Sequence, residues 1–155
     1  KKINPDIKFS SDFIIGYPGE TQDDFEKTVE LIKKVEFINS YSFVYSARPG
    51  TPAFNLKKIN EIIAKERLTI LQNISKKIKT EYRETLLNRT MPVLFENKTK
   101  DINKYFGRDE YFNSVIVESD GSLTGKIKKI KIIKVNQNTL FGEISSNLIH
   151  KDFAA

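Results

Sequence analysis

The residues best suited to chemistry in this sequence form a short turn between a buried strand and a helix. Residues 13–15 are an unbroken apolar run, as expected for a strand covered on both faces. Residues 16–20 then reverse the chain, and Thr21 can cap the next helix together with Asp24 three residues later. We expect a cluster of free backbone N–H groups at this helix N-terminus, which is where α/β folds bind ligands.

The turn matches neither of the two common phosphate-binding motifs. No Gly-Lys-Ser/Thr follows it, and the Gly-x-Gly-x-x-Gly spacing of dinucleotide-binding loops is missing. Glu20 is the unusual residue, because its carboxylate can either favour the helix dipole or accept hydrogen bonds from a ligand hydroxyl or amine. The alternative is a tight turn that binds no ligand.

A second rigid turn follows the next predicted strand. Two prolines surround a glycine at residues 49–52, directly after Arg48. Arg48 can pair with a carboxylate or a phosphate, or it can lie solvated on a stiff loop. The sequence therefore places two candidate ligand-binding turns after two strands.

The C-terminal part of the sequence carries lysines and aromatic rings that suit a nucleic acid. The lysines alternate imperfectly with isoleucines along one predicted strand, which indicates at least one β-bulge. Such charges contact a phosphate backbone, and such rings stack on bases. The alternative is an edge strand protected by lysines. The predicted RNA-binding residues are Arg108, Tyr111, Phe112, Lys126, Lys128, Lys129, Lys131 and Lys134.

Composition favours a globular protein with a polyanionic partner. The 155 residues are 39% hydrophobic and 30% charged, with a net charge of +6. The chain has no cysteine, which excludes disulfides and thiolate-bound clusters within it. Its one histidine, His150, is predicted to be a surface residue, so we expect no metal site. Neither a membrane span nor a secretory signal is found, and we expect a cytoplasmic protein without a membrane partner.

Hydrophobic periodicity predicts an α/β part first. Strands at residues 9–15 and 41–46 flank a helix whose apolar residues lie three and four apart. This is a βαβ unit with parallel strands and a right-handed crossover. One long helix, or two with a kink at Arg67, covers residues 59–88. Two strands do not make a stable sheet alone, so we expect a missing portion, and a chain that starts with Lys1 agrees with a fragment.

The remainder is predicted to be a small antiparallel β-barrel. Its strands are predicted at residues 93–95, 111–117, 127–135 and 140–141. Gly107 is interpreted as one of the turns between them. The predicted domains are residues 1–54, a connecting helix at 55–89, the barrel at 90–150 and a tail at 151–155.

Three segments together resemble a known family. Residues 12–21 read DFIIGYPGET, residues 42–53 read SFVYSARPGTPA and residues 65–68 read KERL. In this order they resemble the C-terminal part of radical S-adenosylmethionine methylthiotransferases. The match is to the MiaB type, which methylthiolates isopentenyladenosine next to the tRNA anticodon. The terminal segment resembles the TRAM domain, a small RNA-binding barrel of OB-like form.

The resemblance implies a fold and a set of sites. Residues 1–54 would be the last two strands of a partial TIM-like barrel. The S-adenosylmethionine-binding residues would be Gly16, Pro18, Gly19 and Glu20. The substrate mouth would be formed by Tyr45, Arg48, Gly50 and Thr51.

The family's cofactors and partners follow from the same resemblance. The full-length family also holds two 4Fe-4S clusters through cysteines that this chain lacks. We therefore expect no catalytic residue in this portion, no activity from it alone, and tRNA and the missing N-terminal part as its partners. The alternatives are a stand-alone RNA-binding or adaptor module without catalysis, and a ligand-binding α/β domain.

Overall fold

The chain divides into two compact units between Tyr82 and Arg83. A computed structural model describes residues 2–145. The predictions for His150 and for the tail at 151–155 lie outside the described residues.

The first unit begins with the predicted βαβ arrangement. Strand β1 (Ser10–Ile15) leads into helix α1 (Gln22–Val35), which leads into strand β2 (Asn39–Val44). The two strands pair in parallel, from Ser10 opposite Asn39 to Ile15 opposite Val44. The parallel βαβ unit predicted from the apolar spacing is therefore confirmed.

Local hydrogen bonds define where α1 begins and ends. The Asp24 N–H donates to Thr21 Oγ1 over 3.1 Å, and the Thr21 N–H donates to Asp24 Oδ2 over 3.0 Å. This reciprocal pair is the capping box that the sequence indicated. At the other end Glu36 adopts a left-handed conformation with φ 58°, and its N–H donates to the Ile32 carbonyl.

A short 3-10 helix (Pro52–Asn55) precedes the long helix α2 (Glu61–Glu84), which is one continuous helix. Its buried positions Ala64, Arg67 and Leu71 recur three and four residues apart. Leu71 packs in one cluster with Ile15, Phe25 and Ile32, so α1 and α2 lie on the same side of the strands. The core of the first unit therefore lies between one face of a two-stranded sheet and two helices.

The opposite face of this sheet is open within residues 2–145. Ile14, Tyr41 and Phe43 are 60%, 68% and 58% exposed. Among the described residues, β1 and β2 pair only with each other. The expectation of a strand covered on both faces is therefore not met in this part of the chain.

The second unit is a closed five-stranded barrel. Its strands are β3 (Thr90–Lys98), β4 (Lys104–Asp109), β5 (Ser114–Glu118), β6 (Ile127–Val135) and β7 (Leu140–Ile144). Around the barrel they follow the order β3-β4-β5-β7-β6, with β6 returning to β3. The inward side chains fill the interior and are fully buried; they include Val93, Phe95, Val115, Val117, Ile130, Ile132 and Leu140.

The barrel differs from the predicted one in three respects. One contact, β5 with β7, is parallel, because a ring of five strands cannot alternate direction throughout. Gly107 lies inside β4 rather than in a turn. The position requires glycine because an added Cβ would lie 2.5 Å from the Leu94 carbonyl oxygen of the neighbouring strand. Tyr111 and Phe112 lie in the turn after β4 rather than in a strand. The predicted bulge in the lysine strand is confirmed, by a register shift between Ile132 and Lys134.

Candidate functional site

The turn after β1 is closed by its own hydrogen bonds. The Gly16 N–H donates to Glu20 Oε2 over 2.8 Å, and the Glu20 N–H donates to the Tyr17 carbonyl over 2.9 Å. The Thr21 N–H is engaged by Asp24. The expected cluster of free N–H groups is therefore wrong for these three groups, because the Glu20 side chain folds back over the turn and the cap occupies Thr21.

Glu20 also forms an ion pair with α2 that the sequence did not reveal. Arg67 Nη1 lies 2.7 Å from Glu20 Oε1 and 3.3 Å from the Glu20 carbonyl oxygen. Arg67 Nη2 donates to Gln22 Oε1 over 3.1 Å, and the guanidinium lies 5.4 Å from the centroid of the Phe25 ring. The two charged side chains are only 9% and 12% exposed. The sequence feature that could have indicated this ion pair is the presence of an arginine, Arg67, within the apolar stripe of α2.

Gly16 is required by the approach of α2. Its φ is +76°, and an added Cβ would lie 2.9 Å from the Cβ of Ala64 and 3.3 Å from Ile59 Cδ1. Gly19 also has a positive φ, of 89°, but an added Cβ there would meet open space. Backbone geometry therefore explains both glycines without a ligand.

A concavity of about 560 Å³ lies at the carboxyl ends of the two strands. Tyr45, Arg48 and Thr51 line it, and the Tyr17 ring meets the Tyr45 ring edge-on at 5.2 Å. The Tyr45 hydroxyl is buried and has no hydrogen-bond partner among the described residues. The structure thus brings together three of the four residues predicted for the substrate mouth.

The remaining residues predicted for the two turns do not line the 560 Å³ concavity. Gly50 shapes the second turn with φ +82°, and Thr51 Oγ1 donates to the Arg48 carbonyl over 2.8 Å. Gly16 lines a separate concavity of about 290 Å³ together with Lys58 and Lys65. Neither concavity has Pro18, Gly19 or Glu20 in its lining.

The predicted lysines of the barrel divide into two groups. Lys129 and Lys131 are exposed and alternate with the buried Ile130 and Ile132, so they share the outer face of β6. Lys134 returns to this outer face after the bulge and lies 5.8 Å from the centroid of the Phe141 ring. These three lysines, Lys129, Lys131 and Lys134, are called the outer lysines below.

The other two predicted lysines do not join this face. Lys128 is half-buried, and it lies two residues before the buried Ile130, so it faces the same side of β6 as the inward residues. Lys126 precedes β6, and its Nζ donates to the Ser122 carbonyl over 2.8 Å. The pleat of the strand therefore separates residues that are neighbours in sequence.

An apolar and basic row crosses the outside of three strands. Leu94 of β3 is paired with Arg108 of β4 on one side and with Ile127 of β6 on the other. Leu94 is 46% and Ile127 is 67% exposed. Arg108 Nε lies 3.0 Å from Glu96 Oε1, and its guanidinium lies 5.2 Å from the Phe106 ring centroid. Exposed apolar and cationic groups thus lie side by side on the outer surface.

Comparison with known proteins assigns a family to this barrel. The segment that matches the TRAM domain runs from residue 84 to residue 145. Residues 84–145 form a TRAM domain. The barrel of β3 to β7 lies entirely within that segment.

Named relatives are similar to nearly the whole chain. A tRNA-2-methylthio-N(6)-dimethylallyladenosine synthase from Pelagibacter ubique (strain HTCC1062) is 49% identical over 147 residues, which is 95% of this chain and 33% of that protein. Proteins of the same name from Wolbachia pipientis subsp. Culex pipiens (strain wPip) and Rickettsia conorii (strain ATCC VR-613 / Malish 7) are 42% and 43% identical over 92% and 93% of this chain. The family resemblance inferred from the motifs is confirmed, and the chain spans about a third of the length of these curated relatives.

Two further observations concern residues 2–145. None of the helices described there is both long enough and apolar enough to cross a membrane. Within the same residues, no group of three or more His, Cys, Asp and Glu side chains is arranged to hold a metal ion.

Proposed function

We propose that this chain is part of an enzyme that methylthiolates isopentenyladenosine next to the tRNA anticodon. In this proposal the TRAM domain binds tRNA, and the first unit forms part of the mouth that holds S-adenosylmethionine and the substrate base. The observation that carries the proposal is the 49% identity over 95% of the chain to a protein named for this product. The relatives are about three times as long, so the remaining part of the same polypeptide is a proposed partner.

The first unit would supply the last two strands of a partial TIM-like barrel. In parallel α/β folds, ligands bind beyond the carboxyl ends of the strands, and the 560 Å³ concavity lies there. The exposed face with Ile14, Tyr41 and Phe43 would be covered when further strands complete the barrel. An open two-stranded sheet with three large apolar side chains on its surface supports this reading.

The proposed cofactor-binding residues are Gly16, Pro18, Gly19 and Glu20, and the proposed substrate residues are Tyr45, Arg48, Gly50 and Thr51. Glu20 Oε2 accepts a hydrogen bond from the Gly16 N–H and Oε1 accepts one from Arg67 Nη1, so each oxygen keeps a lone pair for a ligand amine or hydroxyl. The unpartnered Tyr45 hydroxyl also supports a polar ligand in the concavity. In the proposal this ligand is S-adenosylmethionine, which would supply the radical chemistry when bound together with a reduced cluster.

The residues of this chain do not fit the two 4Fe-4S clusters of the proposed enzyme. Such clusters are held by cysteine thiolates, and the sequence contains none. In the proposal, this chain therefore binds and orients the tRNA and the cofactor, and the rest of the polypeptide holds the clusters.

The tRNA-binding role is tested by the salt dependence of affinity. Replacing the three outer lysines by glutamine should weaken tRNA binding and lower the slope of log K against log salt by as much as about 2 to 3, at about 0.9 per phosphate contact. Fluorescence anisotropy with a labelled tRNA, titrated at several salt concentrations, measures both quantities. A matched variant, Lys33→Gln with Lys34→Gln and Lys76→Gln, removes the same charge from exposed helix positions of the first unit.

Comparing the two variants separates phosphate binding by the outer lysines from the general effect of removing three positive charges. The proposal predicts a lower slope for the outer-lysine variant and a smaller change for the matched variant. Equal slopes in the two variants, or a wild-type chain that does not bind tRNA, would contradict it.

A second candidate is an RNA-binding module that acts without catalysis. It is favoured by the closure of the TRAM barrel by its own five strands. Hydrogen exchange in this chain separates the two candidates. Fast exchange at residues 13–15 supports an incomplete catalytic barrel, whereas exchange as slow as global unfolding supports the stand-alone module.

A further inference from the structure

The turn between β4 and β5 holds a phenylalanine in an unusual position. Phe112 has φ +61°, and its side chain is 73% exposed. A left-handed backbone is unfavourable for a residue with a bulky side chain, and an exposed ring gains little from burial. The fold alone therefore gives no reason for an aromatic residue here, and such local strain is often found at functional sites.

Two buried polar side chains hold this turn in place. Asp109 Oδ1 accepts hydrogen bonds from the N–H groups of Tyr111 and Asn113, over 2.9 and 2.8 Å. Asp109 Oδ2 accepts a third from Asn113 Nδ2 over 2.8 Å. Asp109 and Asn113 are only 7% and 2% exposed, and the Phe112 N–H donates to the Asp109 carbonyl. The ring thus projects from a turn whose conformation is fixed from inside the barrel.

Strand register places this turn at the end of the barrel that carries the outer lysines. Val93 of β3 is paired with Asp109 of β4 and with Lys128 of β6, so these three residues lie at one level. Beyond this level β4 enters the Phe112 turn, while β6 continues to Lys129. One strand separates them, so the backbones are roughly 10 Å apart at the usual strand spacing.

We propose that Phe112 is a stacking platform for one unpaired base of the bound RNA. This inference rests on the proposed tRNA-binding function and specifies the part of the RNA that the TRAM domain recognises. Every base has a π-face, so an exposed ring on a rigid turn accepts an unpaired base of any sequence. The adjacent lysines bind the phosphates on either side of it. A base inside a duplex is already stacked and cannot use the ring.

The test compares single-stranded and duplex RNA. Phe112→Asn removes the ring and keeps a residue that tolerates the left-handed backbone. In the full chain this variant should lose about 5- to 150-fold in affinity for a short unstructured oligoribonucleotide, the effect of one base–aromatic stack. Its affinity for a duplex of the same sequence and its salt slope should be unchanged, and Phe112→Trp should retain the wild-type affinity for the single strand.

Two controls separate recognition from folding. Ile102→Asn removes an 86% exposed apolar side chain from the β3–β4 turn, at the other end of the barrel, and should leave both affinities unchanged. Phe112→Asn should unfold at the same temperature as the wild type or a higher one, because it relieves backbone strain. A lower unfolding temperature for Phe112→Asn would show that the ring is structural and would overturn the inference.

The failures of the two proposals are distinguishable. If the wild-type chain binds tRNA but Phe112→Asn binds single-stranded RNA as tightly as the wild type, only the stacking platform is refuted. The same holds if the variant loses affinity for single strand and duplex equally. If the wild-type chain binds no RNA, both proposals are refuted.

Discussion

Replacing Arg67 by methionine should strongly destabilise the first unit. The substitution keeps an unbranched, apolar side chain but removes the guanidinium, so the Gly16 N–H is the one donor left to the Glu20 carboxylate among the described residues. Because both partners are about nine-tenths buried, water compensates poorly for the lost guanidinium. Removing one partner of a buried ion pair costs about 3 to 5 kcal/mol. This is a large part of the roughly 5 to 15 kcal/mol that stabilises a typical domain.

The assay is equilibrium urea unfolding followed by circular dichroism, together with hydrogen exchange of the Gly16 amide. Lys65→Met on the same helix is the matched control, since Lys65 pairs with Glu61 and both side chains are more than half exposed. Its expected cost is about 0 to 1 kcal/mol. Adding Glu20→Gln to Arg67→Met removes the uncompensated charge, so the double variant should be more stable than Arg67→Met alone.

Two results would refute this reasoning. One is an Arg67→Met variant that loses no more stability than Lys65→Met. The other is a double variant that is no more stable than Arg67→Met, since the penalty would then not come from a buried unpaired carboxylate.

Three further predictions concern the capping box and two glycines. Gly16→Ala should destabilise the first unit by about 2 to 5 kcal/mol through its positive φ and crowding, and Ala64→Gly should recover only the crowding part in a denaturation double-mutant cycle. The hydrogen bonds from Thr21 lower the pKa of Asp24 below 3.8; this carboxylate therefore stabilises the fold above about pH 3.8, and the effect is lost as the pH falls through the lowered pKa. Thr21→Val should raise the pKa of Asp24 towards 3.8 in an NMR titration and make stability less sensitive to pH in that acid range. Gly107→Ala should lower the thermal midpoint of the barrel more than Gly121→Ala, where an added Cβ meets open space.

The regular elements were predictable because their signals are local. The apolar spacing of α1 and the apolar run of β1 predicted a parallel βαβ unit, and the Thr21–Asp24 capping box followed from sequence spacing alone. Strand β4 was missed because Gly107 was interpreted as a turn. Its reason for being glycine is the close approach of β3, which depends on tertiary packing.

The candidate sites were predicted less well, for a related reason. Glu20 and Arg67 are 47 residues apart, and only the packing of α2 brings them together. Lys128 and Lys129 are adjacent in sequence, yet the strand pleat puts one towards the interior and the other on the surface. Tyr111 and Phe112 have the composition of a strand, but the buried Asp109 side chain binds the backbone of a turn instead.

The most direct test of the RNA-binding face is an NMR titration of the chain with an anticodon stem-loop. The account predicts that the amide shifts cluster at residues 110–113 and 127–134, and that those of the β3–β4 turn at residues 99–103 stay in place. Shifts that cluster at residues 99–103, or that leave 110–113 and 127–134 unchanged, would contradict it.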